Sequence, residues 1–513
     1  MGMEDVRATR SVLFSQGIDK LARRGRVLEH MVAAGALATP ARAGLLTGSY
    51  PVRLGMASSA DTFRTFYSPG QVGGLPHGTV TLADELLALG YATAAVGTWH
   101  LGMSDASAWS PNGAHLPLAH GFESYYGMPV SHALTCAGDG LGRDAPRDAV
   151  YILFLTYHVW ISLVCLLGAA YTLGAIGSVG FKFGLMYVAA AMGGVYLYAV
   201  SFSVLNPAAC VLFRDNELVE QPVVLANLTS RLVQEATQFI GGAAASPQPF
   251  FLYFALPEAD LASVDGAVAA VVDALDAAGV FDNTLVIFTS DNGPHLERAT
   301  AHGRAQDGRQ LRGGKGQVWD GGFRVPGIIS WPHHIEGGTV STHPASHLDI
   351  VPTVLDAVHG VGRGLAARIG RSQLDGVSLV DAATTSPDRP LFHYCGDQLA
   401  AVRLGRRHKV VYESPVPDAG TQACASTFVC GCHGTVHDPP LVFDLAADPS
   451  ESAPLAPSDV AVAAVLASAA DAVHTHQATV SNVPNQLETI ARPWLFPCCD
   501  WPKCHCLEAR TAT

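Results

Sequence analysis

The 513-residue chain is long enough to bury a large core and to divide into more than one domain or subdomain. A formal charge of −13 without any basic run argues against a nucleic-acid footprint and leaves room for a small or acidic-tolerant substrate. Charged residues make up only 15% of the chain and mean hydropathy is +0.24, so some apolar surface is expected to meet lipid.

The opening "MGMEDVRATRSVLFSQGIDKLARRG" has no apolar run of signal-peptide length, and Val6 breaks the myristoylation pattern. Either a membrane segment further on targets the chain or the N-terminus is incomplete, which is the favoured expectation. Next comes "ALATPARAGLLTGSYPVRLGM", Ala36 to Met56. Thr39 reads as a helix N-cap, Pro40 as the first helical residue and Gly48 as the stop. The free N–H groups and dipole of such a helix favour an anion, and Arg42 in its first turn adds a bidentate donor. An ordinary capped helix with a surface arginine fits the same residues. Ala38, just before that cap, carries no atom able to react.

"TLADELLALGY" is a helix opened by Thr81 and closed by Gly90, and "ATAAVG" after it is a strand. From Tyr151 to Ser203 the only charged residue is Lys182. Each half of this run is long enough to cross a hydrocarbon core of roughly 30 Å, so a hairpin of two membrane helices is expected over 151–205, with Lys182 at its turn. A pair of buried core helices is the plainer alternative. Cys136 and Cys210 bracket the hairpin and are placed to tie its ends, whereas Cys165 inside it reads as unpaired. Eight further cysteines crowd the last third, where "CCDWPKCHC" reads as disulfides in preference to a metal knuckle. "NLT" at Asn227 is a glycan acceptor pattern.

Strand and helix then alternate. "FFLYFAL" is followed by a helix from Val264 to Ala278 with Val264, Val268, Val271, Val272 and Leu275 on one stripe, then "TLVIFTS", "VPGIISW" and a helix over Leu348 to Val358. The pattern is α/β around a mostly parallel sheet, whose sites lie at the carboxyl ends of strands. One such end carries Asp291 and Asn292, two oxygen donors for a hard cation such as calcium, ahead of a turn at Gly293. Asp-Asn-Gly by itself is more often just a turn.

Taken together, "ATPARAGLLTGSYPVRLGM", "GTWHLG", "HGFESYYGMP", "TSDNGPHLE" and "GGKGQVWDGGFRVPGIISWP" resemble the sulfatase family. The hairpin together with "FHYCG", "HDPPLVFDLAADPSE" and "PWLFPCC" resembles its steryl-sulfatase and arylsulfatase D/E/F/H branch, from about Gly17 to Glu508. The resemblance implies an alkaline-phosphatase-like mixed sheet flanked by helices, with the transmembrane hairpin inserted and a small C-terminal α+β subdomain. It implies a core domain over 1–390, interrupted at 151–205, and a Cys-rich subdomain over 391–513. It also implies hydrolysis of aryl or steryl sulfate esters, calcium as cofactor, membrane lipid as a partner through the hairpin, and a lumenal catalytic domain at the endoplasmic reticulum or Golgi membrane. In the family a cysteine oxidised to formylglycine stands where this chain has Ala38. Arg42, His100 and Lys315 match catalytic positions, and Asp291 with Asn292 match half of the calcium ligands.

The departures gather at that site. The family begins with a strand ending in two aspartates, and upstream of Gly17 the only acidic residues are Glu4 and Asp5. Thr98 replaces the lysine of the "GTWHLG" motif, and "PEADLASVDG" follows "FFLYFAL" where the family carries a His-x-His-Thr segment. Losing a covalent nucleophile costs on the order of a million-fold in rate. Impaired hydrolysis is therefore expected, with a membrane-anchored pseudoenzyme that binds a sulfated or apolar ligand as the alternative. A related phosphoester hydrolase is disfavoured, since Thr39 is the only hydroxyl near position 38 and no zinc-ligand set accompanies it.

Overall fold

The computed structural model describes residues 17–61, 69–105, 107–130, 210–257, 261–297, 309–359, 374–380, 389–424, 429–489 and 491–499, with Cys136, Cys506 and parts of 163–193. Helix α1 (Ile18–Arg24) leads into strand β1 (Arg26–Val32), and neither was expected from the sequence. Its start is held from a distance: the N–H groups of Gly17 and Ile18 donate to Asp265 Oδ1 at 3.3 and 2.8 Å. A side chain at position 17 would come within 2.1 Å of the Asp265 carbonyl, so glycine is required there.

Helix α2 (Ala38–Thr47) ends at Gly48, whose φ of 70° gives the left-handed cap that glycine favours. Helix α3 (Leu82–Ala88) opens at Thr81, as the sequence indicates, on a capping box with Asp84, and is followed by β2 (Ala92–Gly97). Then come β3 (Ser124–Gly127), β4 (Leu212–Arg214), β5 (Glu217–Glu220), α4 (Leu228–Ala244), β6 (Phe250–Ala255), α5 (Leu261–Ala277) and β7 (Val286–Thr289). Strands β8 (Gly327–Ser330) and β9 (Thr339–Ser346) and helix α6 (Ile350–His359) complete the larger part.

These strands form a five-stranded sheet, β5-β4-β3-β2-β6, and a four-stranded one, β7-β8-β1-β9. The expectation of a mostly parallel sheet is corrected. β1–β9, β2–β3 and β2–β6 are parallel, but β1–β8, β7–β8, β3–β4 and β4–β5 run antiparallel. Part of the reason is local. Asp215 with φ 57° and Asn216 make the tight turn of a β4–β5 hairpin that the coarse alternation pattern passes over.

β6 and β7 each end a sheet, and no described strand pairs with their outer edges. Both are half-buried along their whole length, whereas β8 is buried throughout. Phe250 and Leu252 of β6 and Val286 and Phe288 of β7 pack against one apolar cluster with Ile18, Val272 and Leu275. Helix α5 connects them.

The last third holds β10 (Pro390–Cys395), β11 (Gln398–Leu404), β12 (His408–Ser414) and β13 (Thr435–Asp444) in one antiparallel sheet, covered by α7 (Val460–Gln477). Buried charges fasten this sheet to the core. Lys409 Nζ lies 3.0 Å from Asp320 and 2.8 Å from Glu451, and Arg403 reaches Asp320 at 3.3 Å and His30 of β1 at 3.0 Å.

Disulfides join Cys136–Cys210, Cys395–Cys432, Cys424–Cys430 and Cys499–Cys506, and Cys498 is also disulfide-bonded. The Cys136–Cys210 bridge ties the flanks of the expected hairpin as anticipated. Most of the hairpin itself, Cys165 included, lies outside the described residues, whose parts there are helical at 163, 166–168, 170–171, 178–189 and 193. Lys182 falls inside the 178–189 helix and not at a turn. Among the described residues, no helix is long and apolar enough to cross a membrane.

Candidate active site

Helix α2 begins earlier than its sequence suggests. Leu37, extended at φ −127°, is the N-cap, so Ala38 is the first helical residue and not the one before the cap. Pro40 is tolerated two positions further on, because N–H groups of the first turn have no intrahelical acceptor. Thr39 is thereby free of capping duty. Its Oγ1 lies 2.6 Å from His100 Nδ1 and 3.1 Å from the His100 carbonyl. With its one proton on that carbonyl, the hydroxyl accepts from Nδ1–H and leaves His100 Nε2 bare.

His100 follows the end of β2 with φ 66°, a left-handed conformation that is costly for a residue other than glycine. Its neighbours fix it there. Trp99 N–H donates to the Met128 carbonyl and His100 N–H to that of Pro129, both at 3.0 Å. Burial, then Arg42 and Lys315, pull its pKa down to about 3, so the ring is neutral at physiological pH.

Arg42 is buried in the first turns of α2 and holds three elements together. Nη1 donates to the Thr98 carbonyl at 2.6 Å and to Tyr253 Oη of β6 at 3.2 Å. Nε and Nη2 both donate to Asp291 Oδ2, at 3.2 and 3.0 Å, just beyond β7. One guanidinium thus spans the carboxyl-end regions of β6 and β7. Burial opposes ionisation of Asp291, but Arg42 and Lys315 outweigh it and hold the carboxyl below its ordinary value.

Lys315 reaches the same place through its backbone. Its N–H donates to the Pro294 carbonyl at 2.8 Å, and Gly316 N–H donates to Ala36 at 2.8 Å, just ahead of α2. The "GGKG" loop is therefore pinned between the helix start and the Asp-Asn-Gly turn. His347 completes the surroundings, with Nε2 3.2 Å from Thr289 Oγ1 and a pKa lowered to about 4, chiefly by burial.

Arg42, His100, Lys315, Asp291 and Asn292, scattered over 274 residues of sequence, meet at one end of the two sheets. Tyr253 and His347 were missed. The signal for Tyr253 was there, a lone hydroxyl near the carboxyl end of an otherwise apolar strand.

Calcium is a poor fit to this arrangement. Asn292 Oδ1 is buried without a hydrogen-bond partner, as a cation ligand would be. Asp291, however, spends one oxygen on Arg42, and calcium takes about 6–8 oxygens. Groups of three His, Cys, Asp or Glu ligand atoms occur at two places among the described residues, and neither includes Asp291. The residues present make half a site.

The architecture and motifs place the chain in a known class. The family profile described as Sulfatase matches residues 3–259 and 259–361. The profile described as the C-terminal region of aryl-sulfatase matches 386–506. The chain belongs to the sulfatase family, whose members hydrolyse sulfuric esters.

Within it the chain falls in the steryl-sulfatase and arylsulfatase D/H branch. It is 35% identical over 542 residues to the steryl-sulfatase of Rattus norvegicus, covering 96% of this chain and 90% of that protein. Arylsulfatase H of Homo sapiens is 34% identical over 539 residues, covering 95% and 92%. The PsFucS1 sulfatase from Pseudoalteromonas shares the fold, with a TM-score of 0.65 at 22% identity over 91% of this chain and 85% of that one.

Proposed function

We propose that this chain binds aryl or steryl sulfate esters in the cradle of Arg42, Lys315, His100 and the start of α2, with turnover impaired because position 38 bears only a methyl group. The observation that carries this reading is Ala38 at the first position of α2, where the family's formylglycine would sit, on the helix that also carries Arg42. Formylglycine supplies the attacking oxygen in the family, and alanine cannot be converted to it. What this chain's own residues do is bind: the α2 N–H groups and Lys315 favour the sulfate, and Arg42 fixes Asp291.

Chemistry without a nucleophile would need another group, and the nearest hydroxyl is committed. Thr39 Oγ1 is held by His100. A strand ending in two aspartates, which the family resemblance calls for, would have partners in the unpaired edges of β6 and β7 beside Asp291. Residues 1–390 and 391–513 are proposed as the core domain and the C-terminal subdomain.

Binding of 4-nitrophenyl sulfate by equilibrium dialysis tests the cradle. Saturable binding is expected, weakened about tenfold or more by Lys315→Ala, since a hydrogen bond to a charged group is worth roughly 1.5–3 kcal/mol. Equal binding by the variant would remove Lys315 from the site.

Membrane attachment through 151–205, with the remainder in the lumen of the endoplasmic reticulum or Golgi, is proposed alongside. It is supported by the large apolar side chains that the described part of this segment turns outward, among them Leu166, Val179, Phe183, Met186 and Tyr187, which are 64–74% exposed. Alkaline carbonate extraction is expected to leave the protein in the membrane pellet. Release into the supernatant would rule the attachment out.

A further inference from the structure

A second constellation lies away from the sulfate cradle. The segments 72–75 and 101–104 run side by side, bridged at Val72 with Ser104 and at Gly74 with Gly102. That pairing brings His77, just past the first segment, over Asp105, just past the second. His115 joins them because its N–H donates to the Met103 carbonyl at 3.1 Å. His77 Nε2 lies 3.0 Å and His115 Nε2 3.2 Å from the same oxygen, Asp105 Oδ1. The two imidazoles stack with centroids 4.4 Å apart.

The protons at this cluster do not balance without a further positive charge. His115 Nδ1 lies 2.9 Å from the Leu75 carbonyl, which can only accept, so Nδ1 carries the proton. Nε2 of a neutral His115 then points a lone pair at a carboxylate oxygen. Either a second proton or a cation must lie between them. His115 is 4% exposed, whereas the His77 side chain opens to solvent and gives a cation a way in. A metal-binding histidine commonly donates its non-ligating ring N–H to a backbone carbonyl, as His115 Nδ1 does to Leu75, which leaves Nε2 and the carboxylate to share a cation.

We propose that His77 Nε2, His115 Nε2 and Asp105 bind a divalent transition cation of the zinc class, clamping the 101–116 loop to the 72–78 segment. Two imidazoles and a carboxylate suit zinc, with a fourth position left to water on the exposed His77 side. The loop is ready to receive it: Asn112 Oδ1 accepts from the N–H groups of Asp105 and Ala114 at 3.3 and 3.2 Å. The clamp also backs the sulfate cradle, because Trp99, next to His100, donates its indole N–H to the His115 carbonyl at 2.7 Å. A competing cluster of Glu297, Cys424 and Cys430 offers no thiolate, its cysteines being joined in a disulfide.

Cobalt(II) is the probe. The full-length protein, stripped with a chelator and dialysed free of it, is titrated with cobalt(II) and followed by visible absorption, then back-titrated with zinc. One equivalent is expected to bind with the intense visible bands of a tetrahedral site and to be displaced by zinc. His77→Ala and Asp105→Asn, both at solvent-accessible positions, should weaken binding by about 100-fold, because even loss of an outer-shell partner costs roughly 10–100-fold. Absence of saturable binding in the unaltered protein overturns the proposal. So does binding that both variants retain in full, which would place the metal elsewhere.

Discussion

Installing formylglycine at position 38 is expected to leave the protein almost without sulfatase turnover. Ala38→Cys recreates the Cys-Thr-Pro-x-Arg pattern that the modifying enzyme reads, on the first residue of a helix whose N–H groups favour an anion. The nucleophile would then be in place, but the groups meant to polarise its target are not. Arg42 is spent on Asp291 at 3.0 Å and on the Thr98 carbonyl at 2.6 Å, and Asn292 Oδ1 has no partner. Asp291 belongs to no group of three His, Cys, Asp or Glu ligand atoms among the described residues, so added millimolar calcium should not restore the rate. Mass spectrometry establishes the modification, and release of 4-nitrophenol measures the chemistry. Turnover on the order of 1 per second or faster, typical of enzymes, would show that the aspartate pair is dispensable.

Replacing Lys409 by methionine should be the most damaging single change away from the site. The ammonium is fully buried and answers to two carboxylates, Asp320 at 3.0 Å and Glu451 at 2.8 Å. Burial alone would raise the Asp320 pKa, but Lys409 and Arg403 hold it well below the usual range. A depressed carboxyl contributes its stability in full above the unfolded value of 3.8 and loses it only as the pH falls below that, so the contribution is complete at neutral pH. Removing the cation strands buried charge, which costs about 3–5 kcal/mol against a total of roughly 5–15 kcal/mol. Urea denaturation at pH 7.5 reads the loss. Asp320→Asn in the Lys409→Met background should recover part of it, whereas a loss below about 1 kcal/mol would mean that the network is not holding the C-terminal sheet to the core.

Local chemistry was readable from the chain. Gly48 and Thr81 end and begin their helices as the sequence indicates, because a left-handed cap and a side-chain cap need only neighbouring residues. Thr39 was misread for the opposite reason. Its hydroxyl looks like a cap within its own segment, but the partner it takes is His100, 61 residues away. Arg42 and Asp291 are 249 residues apart, and nothing in either stretch announces the other. Only the family's assembled motifs brought them together in advance.

Strand β1 went unseen because "RVLEHMV" carries a charge and a histidine at inward-reaching positions. His30 is satisfied by Arg403 of the C-terminal sheet, so its burial depends on a residue the local pattern cannot supply. The unpaired edges of β6 and β7 were likewise invisible. Both strands read as ordinary apolar runs, and only the sheet order shows that each has no neighbour on one side among the described residues.

The cradle is proposed to hold a sulfate ester that position 38 cannot attack. A single-turnover experiment with a sulfur-35-labelled aryl sulfate tests it most directly, with the protein in excess and the bound label recovered by rapid gel filtration and analysed by ion chromatography. The label is expected to travel with the protein and to be recovered as intact ester. Recovery as free inorganic sulfate, at a rate proportional to protein and abolished by Arg42→Ala, would contradict it.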